Sequence, residues 1–166
     1  MKSYVILVDS KNNELGIADK IEVHTTKPQL HRAVTYLLTN EKGEFLITKR
    51  SSKKLVWPSF WETSGSTHPF ENESHEECAR RRIKEELGID IEPKLIGKFE
   101  YKAQDENRGW EHEVCALLTG EVFDELKPDQ DEIEGYKFIS KRELEQEIKK
   151  NPTNYAPWLV LALDRI

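Results

Sequence analysis

Apolar residues along this chain fall into short runs typical of strands and into stripes typical of helices. The strand-like runs are rich in β-branched and aromatic residues and are separated by turn signals such as the segment 40–43. We expect strands at residues 4–8, 16–23, 32–39, 45–48, 94–101, 111–119 and 136–139. A further strand-like run starts at Trp57 and ends in a turn of small residues, 64–67, and polar loops are expected at 104–109 and 127–134.

Three helices are predicted, and the clearest lies between Ser74 and Gly88. Ser74 and Glu77 form a capping-box pattern at its start, and Gly88 is a typical stop signal. Its buried stripe is expected to consist of apolar residues four positions apart, namely Ala79, Ile83 and Leu87.

Two shorter helices are expected near the carboxyl terminus. Ser140 and Glu143 repeat the capping-box pattern ahead of a helix that ends before Asn151, and Pro157 suits the first turn of a last helix. Because strands and helices are interleaved, we expect an α/β (α+β) fold with a mixed β-sheet packed between helices. Composition marks no boundary, so the chain is predicted to form a single domain over residues 1–166.

Composition limits the classes of function. The net charge is −6 and 34% of the residues are charged, which predicts a soluble protein and disfavours nucleic acid as a partner. No apolar run reaches membrane-spanning length, so no membrane association is expected. Two cysteines, Cys78 and Cys115, do not make a disulfide framework and fit a cytoplasmic location.

Imidazoles and carboxylates are the candidate metal ligands. Glu111 and Glu113 are two positions apart, so on a strand they would share one face. Together with His24, His31 and His68 they would suit a divalent ion such as Mn²⁺, Mg²⁺ or Zn²⁺. Nothing local brings these residues together, and a histidine taken alone is more often an ordinary polar residue. Spacing therefore leaves both interpretations open.

The segment around the central helix resembles the Nudix superfamily. Gly65, Glu71 and the sequence R-R-I-K-E-E-L-G-I at 81–89 stand where the Nudix box has a Gly, a later Glu and R-E-U-x-E-E-x-G-U. The loop between Glu71 and the helix end is longer than in the hydrolases, and Arg82 replaces a metal-binding Glu. Both departures are features of the type I isopentenyl-diphosphate isomerases, so the resemblance is to that branch.

This resemblance implies a metal site. Family members hold a metal with two histidines that have six residues between them, a third histidine followed by Pro, and two glutamates in the pattern E-x-E-V-C. The matching residues here are His24, His31, His68, Glu111 and Glu113. The implied ion is Mn²⁺ or Zn²⁺ at this His/Glu site, with Mg²⁺ also required.

The resemblance also implies a group of cations that binds a diphosphate. The matching residues are Lys20, Arg50, Lys54 and Arg82, and Glu86 matches a carboxylate that holds a Mg²⁺ bridging to the diphosphate. Several cations suit a diphosphate, and Arg can bind its oxygens bidentately. Without the resemblance, the lysines and arginines before Trp57 are a common surface cluster, and Arg82 with Glu86 is a common helix ion pair.

Further residues are implied at the hydrocarbon end of the substrate. Tyr101 and Glu113 match the family's proton-donating pair, and Trp158 matches an aromatic that faces a carbocation through cation–π attraction. Both aromatics are also typical of a core. Ser66 stands where the family has its catalytic Cys, and a serine hydroxyl is far less acidic and needs a neighbouring base.

The leading hypothesis is an enzyme that interconverts isopentenyl and dimethylallyl diphosphate, with Glu113 and Tyr101 acting on one face and Ser66 on the other. A Nudix-type hydrolase of another diphosphate and a non-catalytic prenyl-diphosphate binder are the alternatives. The expected partner is a small-molecule diphosphate, and the expected oligomeric state is a monomer or weak dimer.

Overall fold

The computed structural model describes residues 4–166, and within them a mixed sheet is flanked by helices. The strands are β1 (Tyr4–Val8), β2 (Glu14–Asp19), β3 (His31–Thr39), β4 (Phe45–Arg50), β5 (Trp61–Glu62), β6 (Gly65–Thr67), β7 (Lys94–Asp105), β8 (Gly109–Glu121) and β9 (Ile133–Ile139). The helices are α1 (Lys20–Thr25), α2 (His75–Leu87), α3 (Lys141–Lys150) and α4 (Pro157–Leu163), with a 3₁₀ turn at Pro152–Asn154. Among these helices none has the length and apolarity to cross a membrane. Residues 1–3 of the predicted domain lie outside the described part of the chain.

Strand β3 organises the sheet. It pairs with β1, β4 and β6 in antiparallel fashion and with β8 in parallel, and the β3–β8 register sets His31 opposite Glu113. Strand β8 also forms a long antiparallel hairpin with β7, in which Tyr101 lies opposite Glu113. Two registers therefore bring an imidazole, a phenol and a carboxylate side by side on three neighbouring strands.

Helices cover both faces of the sheet, as expected for the predicted fold class. Tyr36 on β3 packs in one core cluster with Ala79 and Ile83 of α2. The next residue, Leu37, packs in another cluster with Leu159 of α4. Because successive strand residues point to opposite faces, α2 and α4 lie on opposite sides of the sheet. The predicted mixed β-sheet packed between helices is confirmed.

The local capping signals in the sequence form as predicted. The Ser74 hydroxyl accepts from the Glu77 backbone N–H, and the Glu77 carboxylate accepts from the Ser74 backbone N–H. Gly88 ends α2 with a φ of +70°, in the left-handed region that glycine adopts easily. Ser140 and Glu143 make the same reciprocal pair at the start of α3. Each cap needs only residues within one turn, which is why the sequence reveals it.

The prediction of a strand at 16–23 was wrong in its second half. Strand β2 ends at Asp19, whose carboxylate accepts from the backbone N–H groups of Ile21 and Glu22 and so caps α1. A side-chain acceptor at the first position of a helix satisfies amides that would otherwise lack partners. This turn of helix places Lys20 and His24 on one side of the fold.

The prediction around Trp57 was also wrong in detail. Trp57 and Ser59 have positive φ values of 47° and 62°, so the chain turns here, and β5 does not begin until Trp61. The small-residue segment beyond it is strand β6, in which Gly65 pairs with Tyr36. A Cβ on Gly65 would lie 2.2 Å from the Tyr36 hydroxyl oxygen, so only glycine fits against this ring.

The two predicted loops are shorter than expected. Strands β7 and β8 continue to a tight turn between Asp105 and Gly109, and β9 already begins at Ile133. The hairpin tip is held by Asp105, whose carboxylate accepts from Arg108 and from the Trp57 backbone N–H. The polar residues at the tip predicted a longer loop, because the contact of Asp105 with the distant Trp57 cannot be read from the local sequence.

Candidate active site

A cavity of about 120 Å³ opens where α1, β6, α2 and the β7–β8 hairpin meet. Most of the predicted site residues line it, namely Lys20, His24, Arg50, Lys54, Ser66, His68, Arg82, Tyr101, Glu111, Glu113 and Trp158. The other two, His31 and Glu86, contact the lining residues His68 and Arg82. The fold therefore gathers the predicted residues at one place.

Five nitrogen and oxygen donors converge beside this cavity. Each of His24, His31, His68, Glu111 and Glu113 offers one ligand atom, and these atoms lie within 4.8 Å of one another. They come from α1, β3, the residue after β6, and β8. All are buried except His68, which is partly exposed. The predicted convergence of these residues is seen in the structure.

Hydrogen bonds from His24 and His31 to backbone carbonyls orient the Nε2 atoms of both rings toward the cluster. His24 Nδ1 lies 2.5 Å from the Lys20 carbonyl, and His31 Nδ1 lies 2.8 Å from the Gln29 carbonyl. A carbonyl can only accept, so each Nδ1 carries the proton and each Nε2 of a neutral ring presents a lone pair. Backbone carbonyls commonly orient metal-binding histidines in this way.

Within the cluster, acceptors then face acceptors. His31 Nε2 lies 3.2 Å from His68 Nε2, and His24 Nε2 lies 3.1 Å from the buried Oε2 of Glu111. Such an arrangement is unfavourable unless protons or a cation lie between the groups. Three imidazoles with two carboxylates are a donor set that suits a divalent metal, so the residues fit one.

The two carboxylates of the cluster are held in different electrostatic environments. Burial, reinforced by the charge of Glu113, raises the pKa of Glu111 to about 7. Burial acts in the same direction on Glu113, but the close contacts of its carboxylate with the His31 and His68 rings hold the pKa of Glu113 well below its usual range. Burial also lowers the pKa of His68 well below its usual value, which favours a neutral ring. A neutral imidazole is the form that binds a metal.

Glu113 links this cluster to Tyr101. One carboxylate oxygen, Oε1, lies 3.1 Å from His68 Nε2 and 3.4 Å from His31 Nε2. The other oxygen, Oε2, accepts a hydrogen bond of 2.7 Å from the Tyr101 hydroxyl. Because Tyr101 and Glu113 lie opposite each other in the β7–β8 register, the backbone fixes this pair. A proton on this pair is therefore held at a defined place in the cavity wall.

Cations gather around the cavity at the amino end of α1 and along α2. Arg82 Nη2 lies 2.5 Å from Glu86 and 3.0 Å from Glu132, and Lys54 contacts the same two carboxylates. Burial, aided by the nearby charges of Lys54 and Arg82, lowers the pKa of Lys20. Sequence reasoning missed Glu132, which lay in a predicted loop with no motif. Three cations facing one space form a site suited to an anion.

Arg50 is held differently from these cations. Its Nε donates to the Trp57 carbonyl, Nη2 to the Val56 carbonyl and Nη1 to the Glu62 carboxylate, at 2.9–3.0 Å. It lines the cavity, but each of its nitrogens already has a partner within the protein. Trp158 lies beside it, with the guanidinium carbon 5.2 Å from the ring centre. Sequence reasoning also missed Glu62, an isolated glutamate whose burial only the fold reveals.

Ser66 sits in a cluster of hydroxyl groups. Its Oγ lies 2.9 Å from Thr35 Oγ1 and 3.3 Å from Thr63 Oγ1, and the two threonines are fully buried. In the described part of the chain, no carboxylate or imidazole is hydrogen-bonded to Ser66. Cys78 and Cys115 are buried on α2 and β8 and do not line the cavity. The hydroxyl is thus oriented, but no base is bonded to it.

Comparison with known proteins shows the family to which this chain belongs. A family model for the NUDIX domain matches residues 29–159, so the chain belongs to the NUDIX-domain family. The Deinococcus radiodurans protein DR0079 has a similar fold, with a TM-score of 0.78 and 18% identity over 98% of each chain. The Isopentenyl-diphosphate Delta-isomerase 1 of Photorhabdus laumondii subsp. laumondii is 36% identical over 93% of this chain and 89% of its own length.

A second relative comes from a distant organism. The Isopentenyl-diphosphate Delta-isomerase of Haloarcula marismortui is 33% identical over 97% of this chain and 89% of its own length. Within the NUDIX-domain family, the chain therefore belongs to the isopentenyl-diphosphate Delta-isomerases, a family of enzymes. The predicted resemblance is confirmed.

Proposed function

We propose that this protein interconverts isopentenyl and dimethylallyl diphosphate in the cavity described above. The observation that carries the proposal is that one cavity is lined both by cations and by a proton-bearing pair. Lys20, Lys54 and Arg82 provide the positive charge, and Tyr101 with Glu113 provides the pair. A short alkenyl diphosphate needs both at once, and its hydrocarbon part would contact Trp158.

The residues of the cluster would act on one face of the alkene. Tyr101 and Glu113 share a proton in a buried hydrogen bond, and its transfer to the alkene would leave a tertiary carbocation. His24, His31, His68, Glu111 and Glu113 would hold a divalent metal. When bound, this metal supplies positive charge beside Glu113 that makes loss of the shared proton easier.

The diphosphate would be bound by the cations. Arg82 can move from its ion pairs with Glu86 and Glu132 toward phosphate oxygens, with Lys20 and Lys54 beside it. Burial raises the pKa of Glu86 to about 7 despite the opposing charge of Arg82. The ionised form of Glu86 is therefore poorly stabilised by the protein alone. A Mg²⁺ shared between Glu86 and the diphosphate would suit its oxygen ligands.

Ser66 would face the opposite side of the alkene, where a proton has to leave the cation. Its hydroxyl is held by Thr35 and Thr63, and neither threonine is a base. A hydroxyl without a base is a weak proton acceptor at neutral pH, so we expect a slower reaction than a thiol would allow. Ser66 is therefore the residue on which the rate depends most.

Hydrolysis of a diphosphate is the second candidate. The lack of a base bonded to Ser66 favours it, because hydrolysis does not need a proton acceptor at this position. Against it, Arg82 occupies the helix position where hydrolases use a metal-binding Glu, and here it pairs with Glu86. A binder without catalytic activity is the third candidate.

One experiment separates these functions. The purified protein is incubated with isopentenyl diphosphate, Mg²⁺ and Mn²⁺, and NMR follows both the alkene protons and the phosphorus signals. We expect alkene migration without phosphate release. Phosphate release without migration would support the hydrolase, and binding with neither reaction would support the non-catalytic binder.

A further inference from the structure

Glu62 is a buried carboxylate that does not line the cavity and has no assigned role. It lies on the short strand β5 and is 5% exposed. Its two oxygens are bonded to two residues that do line the cavity. Oε1 accepts from Arg50 Nη1 at 3.0 Å, and Oε2 accepts from the Trp158 indole N–H at 2.9 Å.

Anchoring of helix α4 does not by itself explain this carboxylate. The backbone N–H of Ala156, at the start of α4, donates to the Trp61 carbonyl at 2.8 Å, and Trp61 forms a bridge with Tyr155. Backbone contacts therefore already join α4 to β5. A neutral acceptor would hold the indole N–H as well, without placing a charge in the interior.

The charge matters because Arg50 lies close to the indole ring. The guanidinium carbon is 5.2 Å from the centre of the Trp158 ring, and Arg50 keeps its positive charge under all ordinary conditions. Aromatic faces attract cations, but a fixed cation beside the ring repels a second one in the cavity. Glu62 neutralises Arg50. By accepting a hydrogen bond from the indole N–H, it also attracts the positive hydrogen of that group and leaves the ring face more negative.

We propose that Glu62 is a positioning residue that compensates the charge of Arg50 and thereby lets Trp158 stabilise a cationic hydrocarbon. This inference rests on the proposed isomerisation, since only that reaction passes through a carbocation. Glu62 acts through Arg50 and Trp158 and does not touch the substrate. Its effect is therefore on the charged state of the substrate and not on diphosphate binding.

The test uses two alkyl diphosphates of the same shape. One has a tertiary ammonium nitrogen at the position of the cationic carbon, and the other has a neutral carbon there. Tight binding of a charged mimic over its neutral counterpart reports stabilisation of the cationic state. Calorimetry with the metal-loaded protein gives the ratio of the two affinities, which we call the ammonium preference, for the parent and for Glu62→Gln.

We expect Glu62→Gln to lower the ammonium preference by about tenfold or more, while affinity for the neutral compound changes less than about threefold. Glu121→Gln, at an exposed position at the end of β8, is the matched control and is expected to keep the parent ratio. Arg50→Gln is expected to raise the preference, because it leaves the negative charge of Glu62 uncompensated. The double variant is expected to return toward the parent value.

If Glu62→Gln does not fold, Arg50→Gln alone tests the proposal, through the direction in which it changes the ammonium preference. Equal losses for both compounds, or no rise in Arg50→Gln, would show that Glu62 has only a structural role. A parent protein with no ammonium preference would instead contradict the proposed isomerisation itself. The two failures are therefore distinguishable.

Discussion

Replacing Ser66 with cysteine is expected to raise the rate of alkene isomerisation. Within residues 4–166 the Ser66 hydroxyl is bonded only to Thr35 and Thr63, so no base among them helps it to accept a proton. A thiol with a pKa near ~8.5 would be about one quarter thiolate at a pH of ~8. Positioned acid–base groups typically contribute roughly 10²–10⁴-fold, so we expect an increase in kcat of about 100-fold.

The contacts of Ser66 also determine how much stability the change to cysteine costs. Ser66 Oγ is only 2.9 Å from Thr35 Oγ1, and sulfur is larger than oxygen, so this contact has to lengthen. Overpacking of this kind costs about 1 kcal/mol at the lower end of its range. In a chain of 166 residues that corresponds to a fall in melting temperature of roughly 2–4 °C. The fold is expected to be unchanged.

The assay is NMR of alkene migration under saturating substrate, with the melting temperature measured on the same samples. Thr67→Cys is the matched control, because Thr67 is the next residue and also lines the cavity. The reasoning would be refuted by a parent protein that isomerises efficiently and gains nothing from the thiol. It would also be refuted by an equal gain in Thr67→Cys, since the position of the thiol would then not matter.

Three further variants test the rest of the site. His68→Ala is expected to lose at least tenfold in affinity for Mn²⁺ by metal analysis, whereas His112→Ala, on an outward-facing position of β8, is expected to retain it. Arg82→Ala is expected to weaken calorimetric binding of inorganic diphosphate by about 1.5–3 kcal/mol, whereas the exposed Arg80→Ala is expected to bind normally. Although burial opposes the shift, Lys54 and Arg82 lower the pKa of Glu132 from its ordinary 4.5 to about 2. The stabilising effect of Glu132 is therefore present above about pH 4.5 and is lost as the pH falls toward 2. Glu132→Gln is therefore expected to lower the melting temperature at pH 7 but not at pH 2, and an equal loss at both would exclude this ion-pair effect.

Sequence reasoning predicted the parts of the fold that depend on short segments. The caps of α2 and α3 are complete within one turn, and the apolar runs of β3 and β8 reflect their burial in the sheet. It failed where a distant partner decides the local structure. Trp57 takes a positive φ while its backbone N–H is held by Asp105 from the β7–β8 hairpin. No local pattern around Trp57 contains that information.

The site residues likewise divide into those that the sequence could indicate and those that only the tertiary fold reveals. Spacing alone could not bring His24 near Glu111, because α1 and β8 meet only through the tertiary fold. The family resemblance selected these residues, and the structure places His24 Nε2 3.1 Å from Glu111 Oε2. Glu62 and Glu132 could not be selected in this way. Each is one glutamate in a chain with 31 acidic residues, and only its place in the fold and its partners distinguish it.

The surroundings of Ser66 suit the hydroxyl group that this chain has at that position. Two threonine hydroxyls, at Thr35 and Thr63, approach its oxygen from the buried side, and both also lie 3.2 Å from the Gly65 carbonyl. A hydroxyl can donate to one of these partners and accept from the other, whereas a thiol forms weak hydrogen bonds with both. This pocket therefore stabilises a hydroxyl better than a thiol. A gain in rate from Ser66→Cys that comes with a loss in stability would show that the two properties are opposed at this position.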